Sequence, residues 1–348
     1  MNAMRPLLLP FVPVYGAGVA MRNWFFDIGL LRSRKISVPV ISVGNLSAGG
    51  SGKTPFVELL ARRLMSAGRR VAIVSRGYKR ESSGMLVVSN GAIQCAEASA
   101  AGDEPAQMAA KLLGVAVIVD KRRVRGASYA VERFGSTVII LDDGFQHRYL
   151  KRDLDILVLP VLEVEDPGWM LPAGDRREPL SSVKRASLIA LSRCESIEQF
   201  QKAKLIVQEW TDRPIIGLTT KVSAFRRASS RFSIDLGGIK GKTAVAFSGI
   251  GNPDSFSATL KTMGLEVKEH MVFPDHHVYR ESELRSIESR LTETQADFCV
   301  TTEKDVARLS SRLSAYQDFL EKTPLFFVEI EQGVIAGDTE LTEGIDKL

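Results

Sequence analysis

Cysteine and histidine are scarce: the 348 residues hold 3 of the first and 4 of the second. Cys95, Cys194 and Cys299 lie far apart and make no C-x-x-C pair. That argues against a disulfide framework or a zinc site and fits a reducing cytosol; all three read as small core hydrophobes. No fixed-period repeat or low-complexity tract interrupts a composition that is 45% hydrophobic and 25% charged, which suits one large or two ordinary globular domains. A membrane-spanning helix is missing too. The uncharged stretch from Pro6 to Met21 is shorter than the about 20 residues a bilayer needs, and it carries Pro6, Pro10 and Pro13. Nor does it suit a cleaved signal peptide. Trp24, Phe25, Phe26, Leu30 and Leu31, then Arg32, Arg34 and Lys35, lead straight into the first strand.

Basic excess is also lacking over most of the chain. Of the formal net charge of +5, residues 1–35 supply four, from Arg5, Arg22, Arg32, Arg34 and Lys35 against Asp27 alone. The basic balance therefore gives no case for a nucleic-acid partner and marks the N-terminal segment as special. Apolar and aromatic groups there suit the acyl boundary of a bilayer while the arginines meet anionic head groups. A helix merely packed on the next domain is the other reading of 1–35.

What the chain does have is VISVGNLSAGGSGKT, Val40 to Thr54. An apolar β-branched run breaks into glycines and opens onto the helical pattern Phe56-Val57-Leu59-Leu60-Leu64, the strand–loop–helix context of a phosphate-binding loop. Glycines let backbone N–H groups approach phosphates, and a helix N-terminus adds its positive end. Gly49, Gly50, Ser51, Gly52, Lys53 and Thr54 are thus the candidate ATP-binding residues, with Lys53 on the β/γ oxygens and Thr54 on Mg²⁺. The full pattern asks for glycine where this chain has Ser47, so the loop is a variant.

Short β-branched runs alternate with helices from there on. The expected fold is α/β of the P-loop NTPase type: a mostly parallel sheet with helices on both faces, plus a smaller α/β domain joined by a short β ribbon. The boundaries read as 1–35 for the N-terminal segment, 36–222 for the P-loop core, 223–240 for the ribbon with Arg226, Arg227 and Arg231, and 241–348 for the second domain closing over the site. Ligands bind such sheets at the carboxyl ends of strands.

Asp142-Asp143 ends an apolar run, Val138 to Leu141, as a Walker B pair does, with one acid serving Mg²⁺. Asp103-Glu104 opens a helix. Two acids there either cap its N-terminus or supply a base, Asp103, for an acceptor hydroxyl. Thr54, Asp142 and Glu104 are the candidate metal ligands. His276-His277 stands between a polar turn and a helix start, and Thr301–Asp305 follows a strand, so both are candidates to face the cleft.

The ordered set SVGNLSAGGSGKTP, SRGY, GDEP, LDDGFQHR, LPAG…RE, AFSGIGNPDSF, FPDHHVY and TEKD spans most of the chain. In it the chain resembles the tetraacyldisaccharide 4′-kinase family, which also carries Ser or Thr at the place of Ser47. It departs at Asp175-Arg176, where that family has Pro-Leu. The resemblance implies transfer of the ATP γ-phosphate, with Mg²⁺, to an acylated glucosamine disaccharide 1-phosphate at the cytoplasmic face of the inner membrane. It also implies Asp103 as base, Asp143 paired with His276, and Arg123 and Arg177 lining the site beside Lys53. Two alternatives remain open at this point. One is a soluble small-molecule kinase. The other is a membrane-associated partitioning ATPase, whose signature lysine before the double glycine is here Ala48.

Overall fold

The structure, a computed structural model, describes residues 5–230, 232–310 and 315–348. Residues 1–4 of the N-terminal segment and Arg231 of the expected ribbon lie outside the described residues. The strands of the first half are β1 (Val40–Gly44), β2 (Val71–Ser75), β3 (Leu86–Asn90), β4 (Ala116–Val119), β5 (Val138–Asp142), β6 (Leu154–Pro160) and β7 (Leu188–Ser192). Those that follow are β8 (Ile215–Arg227), β9 (Ser233–Ile234), β10 (Thr243–Ser248), β11 (Glu266–Val272), β12 (Phe298–Thr302) and β13 (Leu325–Ala336). They join in one sheet ordered β11-β10-β12-β13-β8-β7-β6-β1-β5-β2-β4-β3, with β9 beside β8.

Side-chain alternation decides the layers. Ile41, Val43, Ile73, Val138 and Ile140 bury on one face, against Phe56, Leu60 and Leu64 of the helix Lys53–Ser66. Their neighbours Val40, Ala72, Val74, Ile139 and Leu141 bury on the other, against Ala127 and Ala130 of the helix Arg123–Phe134. Successive strand residues point to opposite faces, so runs without polar alternation are covered on both. This is the doubly covered, mostly parallel sheet expected. β5 pairs in parallel with both β1 and β2, which puts the loop strand and the Asp142 strand side by side.

β8 and β13 run antiparallel, from Gly217 opposite Ala336 to Arg227 opposite Phe326. They splice two parallel arrays, since β7 pairs in parallel with the start of β8 and β12 with the start of β13. Residues 241–348 therefore do not stay together as expected. β13 carries the chain back along β8, and the helix Asp338–Asp346 docks on the first array, burying Leu341 with Ile41 and Leu60. A second correction concerns the cysteines: Cys194 and Cys299 are buried, but Cys95 is exposed in the turn after β3.

The two halves meet along the helices Asp103–Lys111 and Glu303–Ser310. Lys111 Nζ lies 2.9 Å from Glu303, 3.1 Å from Glu58 and 3.9 Å from Glu329, while Gln107 donates to Glu58 at 3.3 Å and Glu303 at 3.2 Å. Three carboxylates thus share one buried lysine. Burial, opposed by Lys111 and reinforced by Glu58, pushes Glu303 up to about 7 from an ordinary 4.5. A carboxyl raised in this way favours the fold when protonated. Its contribution is complete below the unfolded value and is lost as pH rises through about 7. Glu303→Gln should therefore melt above the parent at about pH 8 and lose that advantage near pH 5, a difference on the order of 2 kcal/mol at most. Thermal melts that differ equally at both pH values would show that Glu303 is not the titrating group.

Candidate active site

β1 ends at Gly44, where only glycine fits: a Cβ would lie 2.5 Å from the Phe145 nitrogen. The chain then turns through Gly49, at φ 127°, to Gly52, whose φ of 83° caps the helix Lys53–Ser66. Thr54 is buried in that helix's first turn. Lys53 Nζ lies 3.4 Å from Ser51 Oγ and 3.5 Å from Asp143. Three side chains grip the loop's carbonyls. Ser192 Oγ donates to Ser51 at 2.7 Å, Gln332 Nε2 to Gly52 at 3.0 Å, and Arg193 to Gly50. Sequence reading misses all three. Ser192 and Arg193 at least close a strand at the ligand-binding rim, whereas Gln332 sits in mid-strand without any signal.

Asp142 is buried; its Oδ2 accepts from Ser75 Oγ at 2.8 Å, and its Oδ1 has no hydrogen-bond partner among the described residues. Burial, with Glu104 and Asp143 nearby, pushes this carboxyl up to about 6. Asp143 turns away at φ 51° and takes Arg177 Nη1 at 2.9 and 3.1 Å. Against the upward push of burial, Lys53 and Arg177 hold Asp143 below the usual carboxylate range. Arg123 is buried, with Asp142 and Asp143 within electrostatic reach, and its Nε has no partner among the described residues. An unmatched carboxylate oxygen and an unmatched guanidinium nitrogen suit a metal–phosphate group, so the residues present fit Mg²⁺ and nucleotide. Among the described residues no three His, Cys, Asp or Glu side chains form a metal cluster. Mg²⁺ commonly takes one or two carboxylates plus phosphate oxygens, so none is needed.

The Asp103–Glu104 pair is held from both halves of the chain. Asp103 and Glu104 open their helix after Gly102, and His276, at φ 62°, places Nδ1 2.8 Å from Asp103 Oδ2. The expected pairing of Asp143 with His276 is not formed. His276 enters opposite the helix Asp103–Lys111, while Asp143 is turned to Lys53 and Arg177 in its own half. Burial acts to raise the Asp103 carboxyl, but bonds from His276 and Arg308 hold it low. Glu104 is held low by Lys304, whose Nζ lies 2.8 Å away, against the effect of burial. The Thr301–Asp305 run does face the cleft through Lys304. Arg308 goes unread in the sequence, its one signal being a place three residues after Asp305 on a helix.

His277 binds Glu283 at 2.9 Å instead of entering this group. The departure at Asp175-Arg176 leaves the loop in place, because the Asp175 carbonyl accepts from Ala48 N at 2.7 Å. Its carboxylate holds Arg5 at 2.9 and 3.0 Å.

The family model described as tetraacyldisaccharide-1-P 4′-kinase matches residues 4–348. The chain belongs to this kinase family. It is 40% identical over 307 residues to the tetraacyldisaccharide 4′-kinase of Aquifex aeolicus, covering 88% of this chain and 90% of that one. The enzyme of that name from Anaeromyxobacter dehalogenans strain 2CP-C is 39% identical over 312 residues, 89% of this chain and 82% of its own. A crystal structure of LpxK from Aquifex aeolicus in complex with ATP superposes with a TM-score of 0.80 at 36% identity, covering 99% of each chain.

A cation held at Asp142 would compete with protons there, so Mg²⁺-dependent nucleotide affinity should fall as pH drops through about 6. Calorimetric titration from about pH 5 to 7.5 checks this, and Asp142→Asn should flatten the profile. A parent affinity constant over that range would exclude Asp142 as the titrating ligand.

Proposed function

We propose that this chain transfers the γ-phosphoryl group of ATP to the 4′ hydroxyl of a tetraacylated glucosamine disaccharide 1-phosphate, working at the cytoplasmic face of the bacterial inner membrane. One observation carries the lipid reading: an exposed apolar segment is bonded directly to the site. The 3₁₀ turn Arg5–Phe11 and the helix Val12–Asp27 bury only Phe26, and they expose Leu7, Phe11, Val14, Met21 and Trp24. The same helix donates from Tyr15 to the Arg177 carbonyl at 3.2 Å, from Arg22 to the Gln146 carbonyl at 2.6 Å and from Asn23 to Glu178 at 3.1 Å. No helix among the described residues is long and apolar enough to cross a membrane. An apolar surface contact supplies burial without a span, and it holds an acyl-anchored sugar beside Arg177.

Phosphoryl transfer passes through a loose transition state, so positioning and charge neutralisation dominate over proton removal. The loop amides, Lys53, Arg123 and Arg177 hold and neutralise the phosphoryl oxygens. Thr54, Asp142 and Glu104 would hold Mg²⁺, which supplies further neutralisation when bound. Asp103 accepts the acceptor's hydroxyl proton, and His276 orients its carboxylate.

Lys53→Ala should nearly abolish turnover. Asp103→Asn should lower kcat by about 10²–10⁴-fold with nucleotide affinity kept. Equal loss of nucleotide binding in both variants would remove Asp103 as a base. A radiolabelled-ATP assay on the acylated disaccharide 1-phosphate and on its deacylated counterpart tests the acceptor. Equal rates on both would overturn the lipid reading in favour of a soluble sugar kinase. Replacing Leu7, Phe11 and Trp24 together by Ser should abolish sedimentation with phosphatidylglycerol vesicles; unchanged sedimentation would detach the segment from the membrane.

A further inference from the structure

The carbonyls of Gly50, Ser51 and Gly52 are consecutive, and each is gripped by a different side chain. Arg193 donates to the first, Ser192 Oγ to the second at 2.7 Å and Gln332 Nε2 to the third at 3.0 Å. A trans peptide unit points its N–H opposite to its C=O. Fixing three carbonyls therefore fixes the N–H groups that follow them, those of Ser51, Gly52 and Lys53. Ser51 N turns back on the Gly49 carbonyl at 3.1 Å. Gly52 N and Lys53 N have no backbone partner among the described residues, and no side chain caps the helix Lys53–Ser66. Consecutive unpaired amides at a helix N-terminus form an anion-binding nest.

Gln332 comes to this loop from the far half of the chain. It lies on β13 opposite Thr220 of β8, between the exposed Glu331 and the half-buried Gly333, yet is itself only 4% exposed. Glycine opens its path: a Cβ on Gly52 would lie 2.8 Å from Gln332 Nε2 and 3.7 Å from Ser192 Oγ, so both donors reach the loop from that one side. The amide gains the fold little. Its Oε1 is buried without a partner among the described residues, and an unmatched buried acceptor costs about what one hydrogen bond contributes. An apolar side chain of the same length would fill the core as well. What the amide alone supplies is an orientation for the Gly52–Lys53 peptide.

We propose that Gln332, with Ser192 and Arg193, is a positioning residue of the phosphate loop: by holding consecutive carbonyls from outside, these side chains aim the Gly52 and Lys53 amides at the nucleotide's phosphates. The strand that joins the two halves thereby supports the nucleotide site. This rests on the reading of Gly49 to Thr54 as the ATP site and is independent of which group takes the acceptor's proton.

Calorimetric titration of the full chain with Mg-ATP, and separately with magnesium and inorganic triphosphate, tests this, because stoichiometry reports the folded fraction apart from affinity. Gln332→Met should weaken both ligands by the same factor, about tenfold, raise the ATP KM alike and leave the acceptor KM unchanged. Its melting temperature without ligand should not fall, since the unmatched Oε1 goes with the lost bond. Gln332→Glu, which keeps the length but sets a carboxylate against the Gly52 carbonyl, should lose more affinity. Ser192→Ala, which releases the Ser51 carbonyl, should weaken both ligands in the same way, and it carries the test should Gln332→Met fail to fold. Unchanged affinity for both ligands in Gln332→Met would overturn the inference. A loss confined to ATP would overturn it too, by making Gln332 a contact to the nucleoside. A melting temperature that falls in step with affinity would reduce Gln332 to a structural role. No Mg²⁺-dependent ATP affinity in the parent would overturn the nucleotide reading and this inference with it.

Discussion

The seam between the helices Asp103–Lys111 and Glu303–Ser310 is the constraint on which the site depends. At one end Arg308 and His276 hold Asp103; one residue on, Lys304 holds Glu104; at the far end Glu303 holds Lys111. Both acids at the head of the helix Asp103–Lys111 are therefore stabilised by cations from the other half of the chain. Isolated like charges beside a triphosphate would repel it and one another. The ion pairs across the seam hold Asp103 and Glu104 low, whereas Glu303, which shares Lys111 with two other carboxylates, takes up its proton more readily.

The sheet makes this seam rigid. β8 and β13 are the two longest strands, and their antiparallel pairing fuses the two parallel arrays edge to edge. The loop carbonyl of Gly52 is bound by Gln332, which lies on β13 itself. The strand that joins the halves thus also touches the phosphate loop, and the helix after it returns to bury Leu341 in the first core.

Much of this was legible in the sequence where a local rule applies. The phosphate loop shows itself because glycines, a lysine and a hydroxyl have a backbone reason for their spacing. The flanking strands show because both-face burial demands continuous apolar runs. Asp142-Asp143, Asp103-Glu104 and His276 stood out as acids or imidazoles at element ends. The pairings did not. Nothing local distinguishes a histidine bound to Asp103 from one bound to Asp143, since either contact spans the two halves. Arg308, Gln332 and the return of the helix Asp338–Asp346 were illegible for the same reason: each is decided by how far β13 runs beside β8. Cys95 was misread because a lone small apolar residue follows composition, while its exposure follows the turn after β3.

Backbone conformation adds a final constraint. Five residues other than glycine have positive φ: Lys79, Asp143, Arg193, His276 and Gln295, among those described. Gln295 ends the helix Glu281–Thr294 in the usual left-handed cap. Asp143, Arg193 and His276 sit at the site, where each conformation costs about 1–3 kcal/mol unless neighbours hold it. Their bonds explain why they persist: Asp143 on Arg177, Arg193 on the Gly50 carbonyl, His276 on Asp103. An extended backbone at Asp143 would send its carboxylate along the sheet, and one at His276 would swing the imidazole off Asp103. The strain is thus the local consequence of turning Asp143 to Arg177 and His276 to Asp103.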